Sequence, residues 1–414
     1  MQRRWSRRNF LRLLAALPAG AWLERYQALA APYQGKVKIT AIKAMQVSDI
    51  AGNCLIRVET DQGLVGYGEA GSSGPIARAY IARMQGMLIG QDPLAIERHF
   101  LEMITLMHPY MSHIPTASGI DIALWDLAGK ITNLPVNVLL GGPFRDAIPM
   151  YSHGQRSDVA DLQDMAQLRD WAARIKAAPE GFTAFKISVD QPGGFRAGRF
   201  SPPLTSEQIR RIGRGYINTR EAVGDEIDIA VHGHNELDTT SAIEVCKAVE
   251  PMRPLFVEDP LPVEFSEGWQ ALRNSTRLTL LIGEKLELVK GFKPFLDNGV
   301  VDILHPDLAF AGGFTGTKKI ADLAQVSRRP LALHNVGSLV LCYASAHFGS
   351  AIHNFFRSES ALGRPQRHVE QMSTVAPPQV RNGHLKVPDG PGLGFVPNDD
   401  YLRTKLVEGE QFWG

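Results

Sequence analysis

From Val37 to about Glu69 the run VKITAIKAMQVSDIAGNCLIRVETDQGLVGYGE alternates apolar and polar positions, with turn residues at Ala51-Gly52-Asn53 and Asp61-Gln62-Gly63. That pattern predicts an antiparallel meander. A helical stretch continues to about Asn133, and from Ile148 the period changes. Short apolar or β-branched runs now alternate with amphipathic helical segments: IPMYSH, FTAFKIS, IDIAVHGH, PLFVEDP, LTLLIGE, VVDILHPD, PLALHN and NFFRSE. Eight strands in strict alternation with helices predict a parallel βα barrel behind a smaller α+β domain.

The ends of those runs carry Lys186, His232 with His234, Glu258, Glu284, Asp307, His334 and Glu359; from His232 onward they recur every 23 to 27 residues. One interval holds a strand, a helix and two loops, so the series places polar side chains on successive strand C-termini. Those ends converge on the mouth of a barrel, where such folds keep their chemistry. A single charged strand end is usually a solvated rim residue; seven in phase are not. His232 and His234, two apart, leave their strand on one face.

The whole chain has a formal charge of +1, but Arg3, Arg4, Arg7, Arg8, Arg12 and Arg25 against Glu24 put five positive charges into the first thirty residues. The remainder is mildly acidic, near −4, and without basic tracts, which excludes nucleic acid as an expected partner. Residues 1–31 resemble a twin-arginine export signal: the pair Arg7-Arg8, a short apolar segment, then ALAA at 28–31. The apolar run is too short and interrupted for a permanent anchor. A mature periplasmic protein beginning near Ala31 or Pro32, with no membrane attachment, is expected. Cys54, Cys246 and Cys342 each lie in an apolar pattern and read as buried free thiols.

With the meander, the text SGIDIALWDLAGKITNLPVNVLLGG at 118–142, the strand-end series and VPDGPGLG at 387–394, the chain resembles the enolase superfamily. The likeness is to its mandelate racemase-like branch, which includes acid-sugar dehydratases of the galactonate type. The resemblance implies a modified (βα)7β TIM barrel at 148–375 with an α+β capping domain at 37–147, completed by a C-terminal segment, 376–414. It implies proton abstraction next to a carboxylate, with Glu258 and Glu284 as two of three ligands of a magnesium ion. Carboxylates suit such a hard ion, and the charge they hold offsets an otherwise unstable enolate. Asp307 and His334 match the family's dyad of orienting aspartate and histidine base. Lys186 matches the first lysine of the second-strand motif, and Glu359 a last-strand carboxylate able to hydrogen-bond the enolate. A homo-oligomer is expected by the same resemblance.

Two departures shape the expected reaction. Family racemases carry Lys-x-Lys on the second barrel strand, whereas this chain has Lys186-Ile187-Ser188. A neutral serine is no second base, so elimination of a β-hydroxyl gains over racemisation, epimerisation or cycloisomerisation. His234 falls where galactonate-type dehydratases have a histidine two residues after the third-strand ligand, and it is expected to be the general acid that protonates the departing hydroxide. His232, in turn, stands where the family places an aspartate ligand. Imidazole is neutral and softer, so manganese or another divalent ion would compete better with magnesium. Three alternatives stay open: His232 ligates, Asp228 or water compensates, or the metal site is lost.

Metal-dependent hydrolysis of the amidohydrolase kind, which also uses His-x-His, fits poorly because the pair comes on the third strand and is followed by glutamates. A non-catalytic periplasmic acid-sugar binding protein remains the alternative of another class. The expected dehydratase gives a 2-keto-3-deoxy acid from a small sugar acid. Substrate contacts are sought at His153, Ser188, Tyr110, His113 and Arg196. They are also sought in the loops at Ser48–Asn53 and 107–116, and in the excursion 190–204, which carries Arg196 and Arg199. His305, just short of Asp307, is open to a core or supporting place, and His347, His353, His368 and His384 have no convergent partners.

Overall fold

The computed structural model describes residues 32–50, 52–105, 112–153, 161–190, 203–360, 362 and 368–413. The meander forms three antiparallel strands, β1 (Ile39–Met45), β2 (Cys54–Thr60) and β3 (Val65–Ala70), in that order. Gly63, with φ of 72°, makes the turn from β2 to β3 that a side chain would resist.

The eight expected barrel strands follow: β4 (Ala147–His153), β5 (Ala184–Ser188), β6 (Asp228–His232), β7 (Val257–Glu258), β8 (Leu280–Ile282), β9 (Ile303–Leu304), β10 (Leu331–Leu333) and β11 (Phe355–Glu359). All neighbours pair parallel, and β11 returns to β4 through Ser358↔Met150 and Glu359↔Tyr151, which closes the barrel. A helix follows each of the first seven strands: Met165–Ala177, Ser206–Val223, Thr239–Val249, Glu267–Ser275, Leu288–Asp297, Gly313–Val326 and Leu339–Ala351. The modified (βα)7β barrel is therefore the fold. No described helix is long and apolar enough to cross a membrane, and the three cysteines are buried and free.

Strand alternation sorts the side chains. Tyr151, Ala184, Ala230, Phe256, Leu281, Ile303 and Ala332 pack together as one cluster inside the barrel, while Ile187, Ile229, Val231, Val257 and Ile282 face the helices. One further pleat on the inner face, two residues along, stand His153, Lys186, His232, Glu258, His305 and His334. A plug of apolar and small side chains thus forms the floor of a polar mouth.

The helix Ile114–Thr132 is buried nearly all round, as an element covered on both sides must be. On one side β3 approaches it through glycine: a Cβ at Gly68 would stand 2.0 Å from the Gly119 carbonyl oxygen. On the other side it docks on the barrel. Ser118 Oγ accepts from Gly312 N at 2.9 Å, and Asp121 accepts from Thr315 N and Oγ1 at 3.0 and 2.6 Å.

The C-terminal segment first adds β12 (Val380–Arg381) and β13 (His384–Lys386), the latter antiparallel to the start of β4. It then reaches the N-terminal domain. Leu393 N donates to Asp126, Ser48 N to Lys405 O at 2.8 Å, Tyr401 Oη to Asp49 at 2.6 Å, and Arg78 pairs with Glu410.

Candidate active site

The strand-end series converges. Lys186 Nζ, 1% exposed, sits 2.5 Å from Glu258 Oε1 and 3.2 Å from Glu359 Oε2. Its carboxylate neighbours outweigh the burial that would discharge it, and hold it protonated. His153 Nε2 hydrogen-bonds the other Glu359 oxygen. Burial disfavours the Glu359 charge, yet Lys186, His153 and His334 together keep its pKa well below the usual carboxylate range. Both Glu359 oxygens thus have a partner on this wall of the mouth. Lys186 and His153 are the donors on this wall.

His334 Nδ1 lies 2.6 Å from Asp307 Oδ2. Asp307 is wholly buried and is fixed in turn by Ala309 N at 2.7 Å. His334 Nε2 faces the mouth, 3.5 Å from Glu284 Oε2 and 3.7 Å from Glu359 Oε2. Burial lowers the imidazole pKa, but Glu359, Glu284 and Asp307 more than reverse this and raise it to about 9. His305 lies beneath, with Nε2 bonded to Tyr151 Oη at 2.9 Å and its ring 5.6 Å from that of His334. It supports the floor.

His232 Nε2 is 3.5 Å from Glu258 Oε1 and 3.7 Å from Glu284 Oε2. It is buried, and burial together with Lys186 holds it neutral, the form a metal needs. Neither ring nitrogen has a hydrogen bond among the described residues, nor does Glu258 Oε2. Burial pushes Glu258 up to about 7 against the pull of Lys186, with Glu284 and Glu359 adding to the rise. Buried polar atoms left open beside the carboxylates of Glu258 and Glu284 fit a divalent cation.

Glu284 departs from simple alternation. Leu281 faces inward, so Glu284, three residues on, would point outward in a regular strand. Gly283 adopts φ of 149°, and a Cβ there would meet Phe292 at 2.6 Å. Glycine is thus what turns Glu284 into the mouth.

Asp228 does not substitute for an aspartate at 232. It stands at the opposite end of β6, half-buried, 3.6 Å from Arg357. His234 has φ of 61° beyond the strand, and its ring centroid lies 4.7 Å from that of His232. Its Nε2 is 3.8 Å from Glu284 and its Nδ1 3.7 Å from Glu236. Burial and Lys285 lower its pKa despite these two carboxylates. Ser188 pairs in register with His232 at the same rim.

His113 is not brought to the cluster; it is buried at the start of the helix Ile114–Thr132 with its ring 6.3 Å from that of Tyr80. Tyr110, Arg196 and Arg199 lie outside the described residues, as do residues 107–111 and 191–202 of the two stretches. Of the 48–53 loop, Asn53 Nδ2 donates to Glu69 Oε1 at 2.7 Å, while Glu69 Oε2 accepts from Ser338 N and Oγ at 2.9 and 2.5 Å. The cap is thereby tied to the loop that follows His334. His347, His353 and His384 stay outside the site: His347 serves Asn137 N and Leu393 O, His353 meets Phe144 edge-on, and His384 bonds Asn382 O.

Residues 35–141 match the family model "Mandelate racemase / muconate lactonizing enzyme, N-terminal domain", and residues 167–401 match "Enolase C-terminal domain-like". The chain belongs to the enolase superfamily. Members usually bind a divalent metal, typically magnesium. Among curated relatives, the D-xylonate dehydratase of Haloferax volcanii is 33% identical over 91% of this chain and 92% of that enzyme. The D-gluconate dehydratase of Thermoproteus tenax is 30% identical over 97% of this chain and 79% of that enzyme. Among solved structures, a mandelate racemase/muconate lactonizing enzyme-like protein from Rubrobacter xylanophilus superposes with a TM-score of 0.80 at 29% identity, covering 91% of this chain and 99% of that one. An enolase superfamily member from Salmonella Typhimurium gives 0.78 at 26% identity, covering 89% and 98%.

Sequence reasoning missed one member of the cluster. Asp259 is wholly buried, and one ligand atom from each of His232, Glu258, Asp259 and Glu284 lies within 4.8 Å of the others.

Proposed function

We propose that this chain dehydrates a sugar acid to its 2-keto-3-deoxy acid. The observation that carries the reading is the one-sided base: Asp307 and His334 form a dyad, whereas Ser188 offers no base on the β5 side. The names of the curated relatives, dehydratases of D-xylonate and D-gluconate, support the same reaction class.

The bond to Asp307 fixes the proton on His334 Nδ1 and leaves Nε2 to accept one. The proton of the carbon next to the carboxylate goes to Nε2, and the C–H electron pair becomes the new double bond. The β-carbon–oxygen bond breaks with its pair on oxygen, which takes a proton from the imidazolium form of His234 and leaves as water, returning that ring to neutral. Tautomerisation of the enol gives the keto acid. Lys186 and His153 keep Glu359 charged beside His334, which strengthens the base. A divalent cation held by His232, Glu258 and Glu284 would supply the positive charge that proton loss next to a carboxylate requires.

Magnesium or manganese is the ion this donor set favours, since two glutamates are hard and the imidazole is borderline. Export to the periplasm by the arginine-pair signal and self-association belong to the same reading; fractionation of cells expressing the full chain tests the first.

The test is a screen of purified protein against mono- and di-acid sugars with magnesium or manganese, following 2-keto-3-deoxy product by semicarbazide absorbance. A metal-dependent hit is expected. Turnover of no acid sugar, with either metal and with the ion shown to be bound, overturns the reading in favour of a binding protein.

A further inference from the structure

The chain lacks an aspartate at the end of β6 and has a carboxylate to spare at the end of β7. Neither oxygen of Asp259 has a hydrogen bond among the described residues, although the side chain is wholly buried. An isolated carboxylate in such a place is strongly disfavoured unless a cation or a set of donors meets it. The nearest buried ammonium, Lys186, already pairs with Glu258 and Glu359.

The backbone explains how Asp259 comes to face the same cluster as Glu258. Consecutive residues of a regular strand point to opposite faces. Asp259 instead adopts φ of 47°, a left-handed conformation that aspartate tolerates better than most side chains. The loop after β6 is laced to it: Gly233 N donates to Glu258 O at 2.8 Å and Asn235 N to Asp259 O at 2.6 Å. A Cβ at Gly233 would stand 2.8 Å from Asp259 O and 2.7 Å from Pro260 Cα, so glycine is required for this approach. The outcome is a set of four candidate donors, His232, Glu258, Asp259 and Glu284, mutually within 4.8 Å. Opposite ligands of a magnesium ion are about 4.2 Å apart at bonds of roughly 2.1 Å. Small movements close the set on an ion.

We infer that Asp259 is a fourth protein ligand of the metal and carries the negative charge that His232 does not. The inference rests on the metal-dependent reading above. It assigns the site three carboxylates, two from consecutive residues of one strand end, and makes His232 a tolerated replacement and not a mark of loss.

Manganese binding to the purified full chain, by calorimetry or by paramagnetic resonance of the free ion, tests this without turnover. Asp259→Asn is expected to weaken binding by at least about ten-fold, and the double variant Asp259→Asn with His232→Asp to recover most of that loss. The metal-free Asp259→Asn protein is expected to melt close to the metal-free parent, because the Asp259 carboxylate has no hydrogen bond among the described residues to lose. Unchanged affinity in Asp259→Asn overturns the inference, as does weakened affinity that His232→Asp fails to restore. Glu284→Gln separates the two levels. If the parent and Glu284→Gln both bind no manganese, the metal site itself is absent and the proposed function fails with it. If Glu284→Gln loses binding while Asp259→Asn keeps it, only the role of Asp259 falls.

Discussion

Asp307 Oδ2 and His334 Nδ1 stand 2.6 Å apart in a fully buried contact, while the other imidazole nitrogen opens onto Glu284 and Glu359. One end of the ring is thereby fixed and the other left to react. His334→Asn is expected to lower turnover about 10²–10⁴-fold, the usual contribution of a positioned base, with a melting temperature close to the parent. Asp307→Asn should lower turnover by a comparable factor, because asparagine no longer enforces the productive tautomer. Full activity in His334→Asn removes the base assignment.

The electrostatics of the dyad set a direction for pH. Burial lowers the His334 pKa, but Glu359, Glu284 and Asp307 raise it to about 9. A base must begin neutral, so kcat/KM at fixed metal should climb as pH rises through the His334 pKa. Glu359→Gln deletes the foremost raising charge, and the alkaline-going limb should move to lower pH. A limb that stays in place in Glu359→Gln, measured at fixed metal, means that another group controls it.

Asp121 gives a stability counterpart away from the chemistry. It joins the helix Ile114–Thr132 to Thr315 on the barrel, and burial raises its pKa from 3.8 to about 7 despite the hydrogen bonds it accepts. The folded protein therefore holds this proton more tightly than the unfolded chain. Its contribution is present below pH 3.8 and is lost progressively as pH rises to about 7. Asp121→Asn keeps an acceptor for Thr315 N and carries no charge. Its melting temperature should fall less than that of the parent between pH 5 and pH 8; parallel curves would show that Asp121 is ionised throughout.

Close packing of the cap is testable at Gly68. A Cβ there meets backbone, the Gly119 carbonyl oxygen at 2.0 Å and Ala123 N at 2.8 Å, which no side-chain movement relieves. Gly68→Ala should destabilise by roughly 2–3 kcal/mol, in the range of overpacked cores, read as a shift of the urea midpoint at unchanged slope.

The eight strands and the places of Lys186, His232, Glu258, Asp307, His334 and Glu359 were legible because period-two alternation and, from His232 onward, a spacing of 23 to 27 residues leave marks in the text. Two members of the mouth break the alternation: Glu284 keeps the spacing but not the pleat, and Asp259 keeps neither. Glu284 and Asp259 owe their direction to backbone angles, Gly283 at φ 149° and Asp259 itself at φ 47°. Glycine in Ile282-Gly283-Glu284 was a visible hint for the first. Nothing local announced the second, since aspartate after a strand-end glutamate reads equally well as a surface turn. The text from Ser118 to Asp126 carried the family likeness but not its reason. Ser118, Asp121 and Asp126 dock the cap, the barrel and the C-terminal segment on one helix and take no part in the chemistry.

His232 leads to a test of ion preference. Its imidazole is neutral, held so by burial and by Lys186, and it contributes a borderline donor among hard oxygens. His232→Asp adds a charge and an oxygen ligand at a position of unchanged backbone. Magnesium affinity should rise by about ten-fold relative to manganese, since hard oxygen donors favour the smaller, harder ion while imidazole favours the transition metal. The ratio of the two dissociation constants, taken on the same preparation, is the quantity to measure. A ratio equal to that of the parent would mean that residue 232 does not touch the ion and that Glu258, Asp259 and Glu284 hold it alone.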